Sequence, residues 1–162
     1  MKRRAVLSLV LAAVATACSK FQTYRGPEVT RIHVLKGQRR MYLMHHDEVL
    51  KAYDIGLGFA PVGHKQFEGD GKTPEGAYII DRRNPNSEFH LSIGVSYPNE
   101  ADMAFAEAQG RSPGGDIFIH GKPRKYRNAP QDWTAGCISV SDKEVDEIYA
   151  MVGNGTPIFI HP

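Results

Sequence analysis

A chain of 162 residues, 41% hydrophobic and 23% charged, has room for one ordinary globular domain that needs no staples. Its formal charge of +2 includes Lys2, Arg3 and Arg4; removing those three from 20 basic residues leaves 17 against 18 acidic ones, about −1. A near-neutral domain offers no basic face to a nucleic-acid backbone, so nucleic-acid binding is excluded.

Residues 1–17 read as a secretory leader. Lys2, Arg3 and Arg4 form its charged start, Val6 to Val14 an apolar run broken only by Ser8, and Ala15-Thr16-Ala17 a small-residue cleavage site. The run is too short to span a bilayer as a mature helix. Ala15-Thr16-Ala17-Cys18 resembles a bacterial lipobox, with Ala15 where Leu is usual, and makes Cys18 the expected lipidation site. Several acyl chains anchor a protein firmly where one binds only marginally. Ser19 suits release towards the outer membrane of a diderm host, so the expected location is the periplasm, lipid-anchored to a membrane. Residues 18–27 make the lipidated terminus and a polar tether broken by Gly26-Pro27.

From Glu28 onward short β-type runs alternate with turn residues. Val29 to Leu35, Arg40 to His45 and Val49 to Leu57 form the first group, with His46-Asp47-Glu48 as a tight connection. Gly76 to Asp81, Phe89 to Tyr97, Asp116 to His120, Cys137 to Val140 and Pro157 to His161 follow. Such spacing predicts a mainly β (α+β) fold, a sandwich or barrel-like sheet, with two short helices. One helix runs from Glu100 to Gln109, capped by Asn99 and stopped by Gly110. The other opens on the capping box Ser141-Asp142-Lys143-Glu144, aligns Val145, Ile148, Tyr149 and Val152 on one face, and ends at Gly153. It is expected to pack behind the strand carrying Cys137.

Only two cysteines occur, Cys18 and Cys137, each inside its own local signature, which argues against a disulfide between them. Gly136 leaves the backbone beside Cys137 uncovered, so its amides are candidate oxyanion donors. A thiol needs a base to become nucleophilic at neutral pH. His120, ending the apolar run Ile117-Phe118-Ile119 and followed by Gly121, is the candidate base. The seven histidines His33, His45, His46, His64, His90, His120 and His161 show no metal-ligand spacing, so neither a metal nor a cofactor is expected.

His120-Gly121, a loop, then Thr134-Ala135-Gly136-Cys137 is similar to the signature of the L,D-transpeptidase catalytic domain, or YkuD domain: His-Gly, a variable loop, Ser/Thr-x-Gly-Cys. Gly69-Asp70-Gly71-Lys72-Thr73-Pro74-Glu75-Gly76-Ala77-Tyr78 resembles a second, longer and more specific block of that family, G-D-x-x-T-P-x-G-x-[YF]. The resemblance covers residues 28–162, the expected catalytic domain. Ser96-Tyr97-Pro98-Asn99 and Asp132-Trp133-Thr134 look like its small periplasmic branch. Two positions depart from the pattern. Ala135 stands where many members have His, and Ser139 where many have Arg, a residue suited to bidentate carboxylate binding.

The resemblance implies a YkuD-like β-sandwich of mixed sheets. It also implies a peptidoglycan chemistry in which Cys137 attacks the third residue of a stem peptide and expels the terminal D-Ala. His120 then moves the proton, a backbone carbonyl such as that of Gly121 orients His120, and an amine or water resolves the thioester. Candidate substrate-binding residues are Trp133, Thr134, Ser139 and Tyr97, with Trp133 and Tyr97 as aromatic walls. Arg124 and Arg127, with Lys122 and Lys125 on the same loop, are candidates to replace the missing Arg. The Gly69–Gly76 block is read as a turn supporting the site. The alternatives are a hydrolase on the same scaffold, cleaving cross-links or wall-protein linkages, and a non-catalytic wall-binding lipoprotein.

Overall fold

A computed structural model describes residues 21–162; the leader, the lipobox and Cys18 lie outside the described residues. Eight strands and two helices follow one another along the described residues. The strands are β1 (Arg31–Leu35), β2 (Arg40–His45), β3 (Glu48–Asp54), β4 (Gly76–Asn84), β5 (Ser92–Val95), β6 (Phe118–His120), β7 (Ile138–Ser139) and β8 (Pro157–His161). Helix α1 (Glu100–Ala108) precedes β6, and α2 (Asp142–Met151) precedes β8. The sheet order is β3-β2-β1-β8-β4-β5-β6-β7. Pairing is parallel between β1 and β8 and between β6 and β7, and antiparallel elsewhere. The fold is thus mainly β with mixed pairing and two helices, as the sequence indicates.

The pleat explains which residues go inside. Ile32 and Val34 of β1, Met41 and Leu43 of β2, Tyr78 and Ile80 of β4, and Ile158 and Ile160 of β8 alternate with more exposed neighbours and form one side of the core. β5 is buried along its whole length, and Val145 and Ile148 of α2 join the same cluster. Each fully buried aliphatic chain contributes about 1.5–3 kcal/mol. Helix α2 packs against β5 and β6, so it backs the His120 strand. The capping box read from the sequence at Ser141 with Glu144 is present, and the expected cap Asn99 proves to be part of a second box with Asp102.

Past β3 the chain leaves its partner β2 and crosses to the far end of the sheet. Gly56 pairs with Ser139, and Gly58 with Thr134, so the sheet curls and closes on itself. That is why β3 ends at Asp54 although the apolar pattern continues to Leu57. Only glycine allows the crossing: a Cβ would lie 2.0 Å from Gln131 O at Gly56 and 2.1 Å from Gly71 O at Gly58. Strand β5 similarly starts later than the pattern from Phe89 predicts, because His90 has φ of +75° and breaks the extended chain.

Candidate active site

Two rows of residues, running across the strands in register, make the floor of the site. The first is Asn84–Ser92–His120–Ser139, and the second Arg82–Gly94–Phe118. Residues opposite one another on neighbouring strands share a face of the sheet, and alternation then puts Cys137 on that face beside Phe118. Contact bears this out: the Phe118 N–H donates to Cys137 Sγ at 3.4 Å, and the thiol donates to Asp116 O at 3.4 Å. A cavity of about 360 Å³ lies over this floor, lined by Asn84, Ser87, Glu88, Phe89, Ser92, Asp116, Phe118, His120 and Cys137. The sequence-predicted pair is therefore brought to one cavity.

His120 is 3% exposed and held on several sides. Its Nδ1 lies 2.7 Å from Gly121 O. A carbonyl only accepts, so Nδ1 carries the proton and Nε2 keeps its lone pair. Phe89 stacks on the imidazole at 4.4 Å between centroids, and the edge of Trp133 packs against it at 5.7 Å. Burial holds the His120 pKa below its ordinary 6.5, outweighing the Gly121 bond, so the ring is neutral at neutral pH. Burial pushes the Cys137 thiol up from 9.0, with the Phe118 N–H pulling the other way, so the resting pair is thiol and neutral imidazole.

The glycine of His-Gly has a steric cause. A Cβ at Gly121 would lie 2.4 Å from Asp142 Oδ1 and 2.8 Å from Phe89 O. Its N–H donates to Phe89 O at 3.0 Å while its carbonyl holds His120, so the backbone of this one residue links the loop before β5 to the imidazole.

The turn leading to Cys137 is fixed from beneath by the Gly69–Gly76 block. Gly136 has φ of +138°, and a Cβ there would sit 2.7 Å from Lys72 O. Thr73 is fully buried and its Oγ1 accepts from Gly58 N–H at 3.1 Å. Asp70 accepts from the N–H groups of Gln66, Phe67 and Lys72 and from Lys65 Nζ, which fixes the loop. Above it, Arg39 makes a paired bond to Asp132, and Asp132 Oδ1 also accepts from Leu57 N–H. Thr134 Oγ1 donates to Cys137 O at 2.6 Å and accepts from Gly136 N–H at 3.2 Å. The Gly136 amide is thus already engaged; the Cys137 N–H has no acceptor among the described residues and is the better oxyanion candidate.

Several expectations need correction. Tyr97 is 3% exposed and its hydroxyl donates to Pro113 O, so it is core and no wall of the cavity. Thr134 and Ser139 are buried and engaged internally; Ser139 Oγ accepts from Trp133 Nε1 at 3.1 Å. Arg124, Lys125 and Arg127 are exposed on or beside the 3-10 turn Arg124–Tyr126 and line no part of the cavity, and Lys122 Nζ donates to Ala129 O. Trp133 is a wall of His120, stacked at 4.5 Å on Tyr126. Sequence reasoning passes over Phe89, Asn84, Ser92 and Tyr126. Asn84 and Ser92 enter the cavity through cross-strand register alone, and the aromatic character of Phe89 and Tyr126 gave the only local signal.

With this geometry in place, comparison with known proteins defines the class. The L,D-transpeptidase catalytic domain (YkuD) family model matches residues 29–160, and the chain belongs to that family. Among curated proteins it is 30% identical over 118 residues to "Putative L,D-transpeptidase YafK" of Escherichia coli K12, covering 71% of this chain and 42% of YafK. Among solved structures, the helical cell shape determining protein Pgp2 of Campylobacter jejuni is 28% identical with a TM-score of 0.62, covering 85% of this chain and 48% of Pgp2. Bd1075 of Bdellovibrio bacteriovorus, 23% identical, shares the fold with a TM-score of 0.60 over 82% of this chain and 48% of Bd1075. The chain spans less than half the length of each of these relatives.

Proposed function

We propose that the protein is a peptidoglycan L,D-transpeptidase working through a Cys137 thioester. The observation that carries the reading is a neutral His120, its Nδ1–H committed to Gly121 O, lining the same cavity as the free Cys137 thiol. Nε2 takes the thiol proton as Sγ attacks the carbonyl of the third stem residue. The Cys137 N–H faces the developing oxyanion. The bond to the terminal D-Ala breaks, and the proton on Nε2 passes to the departing amine. An amine of a second stem then takes the acyl group and regenerates the thiol. Family membership supports stem peptides as the substrate class.

The test is incubation of the purified protein with tetrapeptide muropeptides and identification of products by mass spectrometry. Cross-linked or amine-exchanged products are expected, and Cys137→Ala and Cys137→Ser abolish them. Activity retained by either variant sinks the nucleophile assignment; trimmed products alone replace transfer by hydrolysis. We also propose export through residues 1–17 and lipid anchoring at Cys18 on the periplasmic side of a membrane. Metabolic labelling with a fatty acid checks this, and labelling that survives Cys18→Ala refutes it.

A further inference from the structure

Arg82 sits at the end of the second row of the cavity floor, and its seat is built rather than incidental. It stands opposite Gly94 on β5, and Gly94 stands opposite Phe118 on β6. A Cβ on Gly94 would come within 2.4 Å of Arg82 Cγ and 2.9 Å of Cζ, so the absent side chain is the trough through which the guanidinium crosses β5. On the far side Arg82 Cζ lies 4.5 Å from the centre of the Phe118 ring, a cation–π contact. Phe118 lines the cavity and its own N–H meets Cys137 Sγ.

The two arms of the guanidinium are held unequally. Nη1 donates to both oxygens of Asp81 at 2.9 Å. Nη2 is 3.4 Å from Asp116 Oδ1, longer than an ordinary charge-assisted hydrogen bond, and Asp116 is a cavity residue whose side chain is 93% exposed. The loose arm is therefore the one at the cavity mouth. Among the described residues no Lys or Arg lines the cavity itself, and the side chain in the place of the family's Arg is Ser139, whose hydroxyl accepts from Trp133.

We propose that Arg82 binds the C-terminal carboxylate of the peptide substrate at the mouth of the Cys137 cavity, through Nη2 and in exchange for Asp116. This rests on the peptide-transfer reading above and specifies its substrate: a stem ending in a free acid rather than an amide. The fork of an arginine suits the task, because it retains Asp81 on one arm while the other engages the ligand.

The test uses a tetrapeptide muropeptide with a free C-terminus and the same molecule amidated there, each incubated with the full chain. The parent protein is expected to prefer the acid by about 10- to 100-fold in kcat/KM. Arg82→Gln brings that ratio to about one, and Arg82→Lys, which keeps charge without the fork, leaves it in between. A parent that does not discriminate, or an Arg82→Gln ratio equal to the parent's, overturns the inference. If Arg82→Gln fails to fold by circular dichroism, the Arg82→Lys ratio decides. If the parent turns over neither peptide, equilibrium binding of both to the Cys137→Ser protein decides instead. An Arg82-dependent preference for the acid then keeps the carboxylate seat while the transfer reading falls, and no preference overturns the seat.

Discussion

Asp70→Asn isolates what the Gly69–Gly76 block contributes. The Asp70 carboxylate accepts from the N–H groups of Gln66, Phe67 and Lys72 and from Lys65 Nζ, at 2.8–3.1 Å, and is 14% exposed. Burial alone would raise its pKa, but these donors outweigh it and bring the group from 3.8 down to about 2. At 1.36 kcal/mol per unit, the native state favours the charged form by about 2 kcal/mol. Because the folded pKa lies below the unfolded one, this stability is fully present above the unfolded value of 3.8 and drains as pH falls through about 2. Asparagine keeps the shape, removes the charge and sets an NH2 group among donors. In urea denaturation near pH 7 the variant is expected to be about 2 kcal/mol less stable, with the gap closing towards about pH 2. A gap below about 0.5 kcal/mol, or one that does not narrow on acidification, refutes the reasoning.

Gly121→Ala pushes a methyl group against Asp142 Oδ1, Phe89 O and Val145 Cγ1, and a loss of about 1–3 kcal/mol is expected in thermal or chemical unfolding. Its rate of Cys137 acylation should fall too, since the shifted carbonyl no longer holds His120 Nδ1; unchanged single-turnover kinetics would contradict that link. The lowered His120 pKa puts the acid limb of the acylation rate below 6.5, and a limb centred above that value refutes a buried neutral base. The same group withdraws stability as pH falls from 6.5 towards its lowered folded value, because the native state resists the proton that the unfolded chain accepts.

Local physics was legible in the sequence. Asn99 and Ser141 are caps because their side chains bond to amides three residues on, within one turn of chain. His120-Gly121 and Gly136-Cys137 stand out because each glycine is demanded by a neighbour at close range. Register across strands was not legible. Asn84 and Ser92 join His120 only because β4, β5 and β6 align as they do, and nothing near either residue records that alignment. Tyr97 shows the converse. Its aromatic ring and motif context suited a cavity wall, but it packs against Tyr78 in the core. The positive φ of His90 is equally silent, since no feature of the residue type requires it.

The curling of the sheet has a consequence for how the site can fail. Ser139, two residues beyond the candidate nucleophile, bonds Gly56 through both its N–H and its carbonyl, and Thr134 takes the N–H of Phe59. The thiol therefore rides beside the join between an early and a late part of the chain, at the start of the last strand of the sheet. Unzipping those few bonds would disarm Cys137 and also uncover Leu57 and Ile138, which the same segments bury in the core. The reactivity of the Cys137 thiol therefore reports directly on that closure.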